Sequence, residues 1–285
     1  MNIAFFGLGN MGFPIAANLL KHGHTVTTAI HRDPTPALEL QALGAAIASS
    51  PAEALKDAEL IFTIVPNDSA LLGLLDEAFL TALPAGSVVV DMTSASAGAA
   101  KQAAALCASR NAALLDAPVS CGVKGAASGT MSMICAGDRA VFERVSPVLE
   151  EITGKLCYVG DQQGQAKIIK SLNNLLSAIN KTAVGEAWRI AEAHGVDPNA
   201  FFDAISASSG NSVALQAAFP KIRSGDYAPG FTVALMRKDL ELAMGLADHM
   251  VLPLGEAVLD YYRRAREFDN EDSTAVAKVR YPNRG

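Results

Sequence analysis

The stretch Gly7-Leu8-Gly9-Asn10-Met11-Gly12 spells G-x-G-x-x-G directly after an apolar run and ahead of a helical pattern. In that setting the first glycine permits a tight turn and the second lets a pyrophosphate approach the backbone. The third lets the helix lie close to the sheet, and the N–H groups of the helix start hold the phosphates. A purely structural glycine turn is the competing explanation. Motif, position and neighbouring pattern agree on a dinucleotide. A second group, Ile30-His31-Arg32-Asp33-Pro34, bears on which dinucleotide. An acid about 20 residues past the glycine loop would take the ribose 2′-hydroxyl of NAD, and an arginine would suit the 2′-phosphate of NADP. His31 stands 19 residues after Gly12, where the acid is expected. Arg32 offers a forked, always-charged head, which favours NADP over NAD. Asp33 blurs the distinction, since a small shift of register makes it the ribose ligand, and Arg32 also reads as an ordinary surface arginine.

Two further groups have side chains suited to proton transfer and carboxylate binding. Asp116-Ala117-Pro118-Val119-Ser120-Cys121-Gly122 follows an apolar run, and a serine hydroxyl with adjacent backbone N–H groups at a strand's end can hold a carboxylate. Position alone weighs site and structural loop equally. No neighbouring His/Asp arrangement makes Ser120 a nucleophile. Further on, Ile168, Ile169, Leu172, Leu175, Leu176 and Ile179 fall on one side of a helix at about 100° per residue. Lys170 and Asn174, at i and i+4, share the other side with Ser177 and Lys181. Spacing favours a solvated polar face. The alternative is that Lys170 and Asn174 line a cleft, where a lysine can give or take a proton. Pattern does not choose between the two.

These groups need a scaffold. Apolar runs at 2–6, 25–30, 60–65, 87–91, 113–116 and 131–136 read as strands, several of them apolar throughout, as for strands buried on both faces. Helical patterns at 11–23, 35–43, 51–56, 69–80, 96–109 and 139–151 alternate with them, which predicts a mostly parallel, doubly wound α/β sheet. After Gly164 no strand is expected. One long helix over 165–194, interrupted at Gly185, is followed by helices at 199–207, 233–249 and 254–267 and a helical hint at 273–279. The expected division is 1–163 for the dinucleotide-binding domain and 164–285 for an all-helical domain, joined by the long helix.

Composition narrows the class. The chain has 285 residues, 50% of them hydrophobic and 18% charged, with 23 basic and 29 acidic side chains for a net charge of −6. It is long enough for a large core and too apolar for disorder. No basic run points to nucleic acid, and no apolar stretch reaches the ~20 residues of a membrane span. Cys107, Cys121, Cys135 and Cys157 form no C-x-x-C pair, so neither zinc nor a disulfide is expected. The absence of a visible leader makes the cytoplasm the expected compartment.

Taken together, the motifs resemble the β-hydroxyacid dehydrogenase family over essentially the whole chain. Phe5 to Gly12 with Pro14 and Asn18 is similar to the family's opening signature. Val65-Pro66-Asn67 and Asp91-Met92-Thr93-Ser94 resemble its cofactor-lining segments, and Asp116 to Gly122 its substrate loop. Gly164 through Lys170-Ser171-Leu172-Asn173-Asn174 resembles its catalytic helix, and Lys238-Asp239-Leu240 its late cofactor motif. The resemblance implies a Rossmann-type domain followed by a helical substrate and dimerisation domain, in a homodimer or homotetramer. It implies Lys170 as general acid/base, Asn174 orienting the substrate, and Ser120 and Gly122 holding its carboxylate. It implies Ser94 and Lys238 contacting the nicotinamide cofactor. Two positions depart from the family: Cys121 and Ala166 stand where it usually has glycine, and Cys121 leaves the identity of the acid open. The implied reaction is reversible hydride transfer between NAD(P) and a small 3-hydroxy acid or its semialdehyde. A lysine with an ordinary pKa of about 10.4 is a weak base at neutral pH, so oxidation should quicken as pH rises. The alternatives are a same-fold reductase acting on an imine or an unusual carbonyl, against which Lys170 speaks, and a non-catalytic nucleotide-binding protein.

Overall fold

The computed structural model describes residues 1–120 and 122–281. The chain divides into two compact units, Met1–Lys170 and Ser171–Gly285.

The first unit is built on nine strands among the described residues: β1 Asn2–Phe6, β2 Thr25–Ala29, β3 Ala46–Ala48, β4 Leu60–Thr63, β5 Val88–Asp91, β6 Ala113–Asp116, β7 Val119–Ser120, β8 Met131–Ala136 and β9 Thr153–Gly160. Their order is β3-β2-β1-β4-β5-β6-β8-β7, with β9 paired to β8. Strands β1 to β6 are mutually parallel, β8 runs antiparallel to β6 and β7, and β9 lies parallel to β8.

Strand alternation explains why the sheet is covered twice. Ile3, Phe5, Leu60, Phe62, Val88 and Val90 enter one core with Ile15 and Leu19 of helix Gly12–Lys21 and Val145 and Leu149 of helix Arg139–Glu151. The residues between them, Ala4, Phe6, Ile61 and Val89, enter a second core on the other face with Leu71, Phe79 and Ala103. Successive side chains of a strand point to opposite faces, so an apolar run without alternation must be buried on both. Each large side chain so buried contributes roughly 1.5–3 kcal/mol.

Strands at 25–30, 60–65 and 87–91 are each trimmed at an end, and three strands escape the pattern altogether. β3 and β7 have three and two residues. β9 is only half-buried and contains Gly154, Lys155 and Gly160, so it shows no apolar run. The single helix expected over 69–80 is two, Asp68–Leu74 and Glu77–Ala82. Asp76 accepts the N–H of Phe79 at 2.8 Å and starts the second afresh.

The second unit is helical. It begins at Ser171, inside helix Gln165–Ala193, and adds Pro198–Ser206, Val213–Ser224, Val233–Gly245 and Pro253–Arg264, then two 3-10 turns, Ala265–Phe268 and Ser273–Lys278. Helix Val213–Ser224 was not expected, and Pro220 lies inside it. One core gathers Ala178, Met236, Leu240, Tyr262 and Val276, and another stacks Trp188, Phe201 and Phe219 edge to face and tilted. Gly185 does not interrupt the long helix. A Cβ there would meet the Cβ of Ala277 at 2.9 Å, so glycine lets the final turn lie close. No helix among the described residues is long and apolar enough to cross a membrane.

Candidate active site

Because β1, β2, β4, β5 and β6 are parallel, the segments after them leave one edge of the sheet. Gly7 to Gly12, His31 and Arg32, Val65 to Asn67, Ser94, and Asp116 to Ser120 all follow carboxyl ends there. The strand order reverses between β1 and β4, which is where ligands bind in open sheets of this kind.

The three glycines of the first loop do different work. Gly7 has φ +102°, and a Cβ on it would sit 2.0 Å from the carbonyl oxygen of Ile64. A Cβ on Gly12 would sit 1.8 Å from the carbonyl oxygen of Gly7. Around Gly9 nothing lies within 4 Å. Helix Gly12–Lys21 begins at Met11 with no side-chain cap and no acid in its first turn. Helices starting after Ser50, Asn67, Asp76, Ser96 and Asp138 are all capped by those side chains. Open backbone at Gly9 and uncapped N–H groups fit a dinucleotide's pyrophosphate. Leu8 is half-buried and Asn10 exposed.

His31 and Arg32 are exposed beyond the end of β2. Asp33 Oδ1 accepts the N–H of Thr35 at 2.9 Å, and these Thr35 hydrogen bonds hold its carboxyl below the usual range. Asn67 spends its side-chain oxygen capping helix Asp68–Leu74, at 2.9 Å from the N–H of Ala70. Val65 donates its N–H to Thr93 Oγ1 at 3.1 Å, and Ser96 hydrogen-bonds both carboxylate oxygens of Asp68. The loops carrying Pro66 and Ser94 are thereby tied side by side. Ser120 pairs with Ser132 at the end of β7, and Gly122, with φ +62°, opens helix Gly122–Ser128. Asn18 fixes that helix, donating to the carbonyl of Ala126 at 2.7 Å. Cys121 lies outside the described residues.

The long helix corrects the solvated-face reading. Lys167, Lys170, Ser171 and Asn174 are buried, while Ile169, Leu172 and Leu176 are 40–62% exposed. The buried stripe has the i, i+3, i+4, i+7 spacing of a core-facing helix, and it continues as Ala178, Val184 and Trp188. Polar residues occupy its first two turns in place of apolar ones.

Lys167 was not anticipated. Its ammonium lies 2.9 Å from Asp91 Oδ2, 2.9 Å from the Asp91 carbonyl and 2.8 Å from Asp116 Oδ1. Asp91 and Asp116 are register partners at the ends of β5 and β6. Asp116 Oδ2 also accepts the N–H groups of Gly164 and Lys167, at 3.2 and 3.3 Å. Burial opposes the charge on Lys167, but Asp116 and Asp91 outweigh it and hold its pKa above the ordinary lysine value. Burial pushes the Asp116 carboxyl up, against the pull of Lys167. An acid closing each of two fully apolar strands was the available signal, since buried carboxylates require a partner.

In the second unit, Asn174 Nδ2 donates to Asp239 Oδ2 at 2.6 Å, and Lys238 Nζ lies 3.3 Å from Asp239 Oδ1. Asp239, 2% exposed, thus joins two of the expected site residues. No cluster of His, Cys, Asp or Glu suited to a metal occurs among the described residues.

The chain is an α/β dinucleotide-binding protein of the Rossmann type with a helical second part. Residues 2–160 match the NAD binding domain of 6-phosphogluconate dehydrogenase, and residues 164–281 match the NAD-binding domain of NADP-dependent 3-hydroxyisobutyrate dehydrogenase. The chain is 36% identical over 286 residues to a 2-(hydroxymethyl)glutarate dehydrogenase of Eubacterium barkeri, covering 98% of this chain and 94% of that one. It is 35% identical over 295 residues to a 3-hydroxyisobutyrate dehydrogenase of Pseudomonas aeruginosa, covering 98% of each. The solved structure of Mycobacterium tuberculosis 3-hydroxyisobutyrate dehydrogenase with L-serine superposes with a TM-score of 0.89 at 34% identity, covering 97% of both chains. The chain belongs to the β-hydroxyacid dehydrogenase family and is an oxidoreductase with an NAD(P)-binding domain.

Proposed function

We propose that the protein interconverts a small 3-hydroxy acid and its semialdehyde, with Lys170 as general acid/base. The observation that carries this reading is the burial of Lys170 and Asn174 on the polar stretch of the helix stripe. Burying a lysine and an amide costs free energy unless polar groups serve them, which suits a site that takes a polar substrate. The substrates in the names of the family members support the class of acid.

Gly7, Leu8, Gly9, Asn10, Met11 and Gly12 hold the pyrophosphate, and Val65, Pro66, Asn67, Ser94 and Lys238 line the rest of the cofactor. When bound, the nicotinamide supplies the hydride acceptor or donor. Ser120 and the backbone at Gly122 hold the substrate carboxylate, and Asn174 orients the hydroxyl-bearing carbon. In oxidation Lys170 Nζ takes the hydroxyl proton; in reduction it returns one to the carbonyl oxygen. Residues 1–163 serve the dinucleotide, and 164–285 serve the substrate and the contact between copies in a homodimer or homotetramer. NADP is preferred over NAD: Arg32, exposed just after β2, suits a 2′-phosphate, and Asp33 is engaged with Thr35.

The test is initial rates with NADP and NAD across 3-hydroxy acids, their semialdehydes and a set of imines, with Lys170→Ala alongside. Turnover of a hydroxy acid that vanishes in the variant is the expected result. Normal turnover by Lys170→Ala overturns the assignment, and turnover confined to imines overturns the substrate class.

A further inference from the structure

We propose that Lys167 is a positioning residue for this reaction: its ammonium, shared by Asp91 and Asp116, fixes the loops that carry Ser94 and Ser120 relative to the helix turn that carries Lys170. The inference rests on the roles proposed above for Ser94, Ser120 and Lys170.

The sequence offsets make the case. Ser94 lies three residues beyond Asp91, Ser120 four beyond Asp116, and Lys170 three beyond Lys167. Each charged group therefore sits at the root of one segment of the site. The hydrogen bonds run without a break from the cofactor side to the helix. Val65 N–H donates to Thr93 Oγ1, and Thr93 N–H donates to Asp91 Oδ1, which Thr63 Oγ1 also supplies. Lys167 then joins Asp91 to Asp116, and Asp116 Oδ2 takes the N–H of Gly164 just ahead of the helix. Lys167 and both acids are at most 1% exposed. A buried ion cluster is weak in stability terms compared with an apolar one of the same volume. Its directional bonds do restrict where three loop roots can stand, and apolar contacts do not. The acid/base group and the carboxylate-binding serine thus have their spacing set by one side chain that itself touches neither substrate nor cofactor.

The experiment compares Lys167→Met and Asp116→Asn with the parent protein, using the best hydroxy acid of the panel. Folding is followed by circular dichroism and cofactor affinity by calorimetry. In Lys167→Met, kcat falls and the KM for the hydroxy acid rises, with kcat/KM down roughly 100-fold, the scale of a small misplacement at a reacting centre. The cofactor Kd rises by far less than kcat/KM falls, because the Gly7–Gly12 loop that holds the pyrophosphate is not part of the cluster. Asp116→Asn keeps an acceptor for Gly164 and shows a smaller loss in the same direction. Should Lys167→Met not fold, Asp116→Asn decides. A folded Lys167→Met with parental kcat and KM overturns the proposal, as does a loss of cofactor affinity in step with turnover, or the failure of both variants to fold. Lys170→Ala measured beside them separates the two readings: if it retains turnover, the Lys170 assignment fails by itself.

Discussion

The side-chain amide of Asn174 donates to Asp239 at 2.6 Å, and the other oxygen of Asp239 faces Lys238 at 3.3 Å. That carboxylate and Asn173, whose Nδ2 donates to Asn174 Oδ1 at 3.2 Å, together orient the amide of Asn174. Asp239→Ala removes this buried hydrogen bond to a charged group, a cost of about 1–3 kcal/mol. The expected outcome is a folded protein of lower melting temperature with kcat/KM for the hydroxy acid reduced about tenfold or more. Thermal melts and steady-state kinetics check both, and unchanged kinetics would detach Asp239 from the site.

Lys170→Ala should lower turnover by roughly 10²–10⁴-fold, the range for a general acid/base. Cofactor affinity should stay near the parental value, so calorimetry on the inactive variant distinguishes lost chemistry from lost binding.

Gly7 and Gly9 should respond differently to the same substitution. Gly7→Ala places a methyl against the Ile64 carbonyl at a backbone angle alanine rarely adopts, and the loss of stability should reach roughly 4 kcal/mol or more. Gly9→Ala meets open space, so stability should change by less than about 1 kcal/mol. Its cofactor Kd should still rise about tenfold, because the methyl occupies the approach of the pyrophosphate. Urea titration and calorimetry on the two variants make the comparison.

Arg32→Ala should weaken NADP by the value of a charged hydrogen bond, about 1.5–3 kcal/mol, and leave NAD nearly untouched. Side-by-side kcat/KM values for the two cofactors read this directly. Equal effects on both would remove Arg32 from the 2′-phosphate.

Burial pushes the thiols of Cys107 and Cys135 up to about 12. Since the thiolate is the reactive form, both stay protonated at pH 8 and become reactive only as pH approaches that value or the fold opens. Iodoacetamide at pH 8 followed by peptide mass spectrometry should find Cys107 and Cys135 unmodified in the native protein and alkylated in urea.

The doubly wound sheet was legible because β4 and β5 are apolar at nearly every position, and nothing short of burial on both faces explains that. The glycine loop was legible for a similar reason: its spacing follows from close approaches now seen at Gly7 and Gly12. The helix from Gln165 was legible as a helix but not in its orientation. Hydrophobic periodicity assumes that the apolar side faces inward, and here Leu172 and Leu176 are exposed while Lys170 and Asn174 are buried. Lys167 was hidden by the same assumption. Its partners come from strands 76 and 51 residues earlier in the chain, a distance over which local pattern carries no information.

The charge count of the Lys167 cluster, one cation against two acids, also constrains how this sequence can change. Losing the lysine alone strands two carboxylates in apolar surroundings, and breaking such a pair costs about 3–5 kcal/mol. Losing one acid leaves the backbone N–H groups it serves unanswered. Drift at positions 91, 116 and 167 is therefore coupled, and substitutions accepted there should arrive together in descendants of this chain, as a compensated set rather than as independent steps.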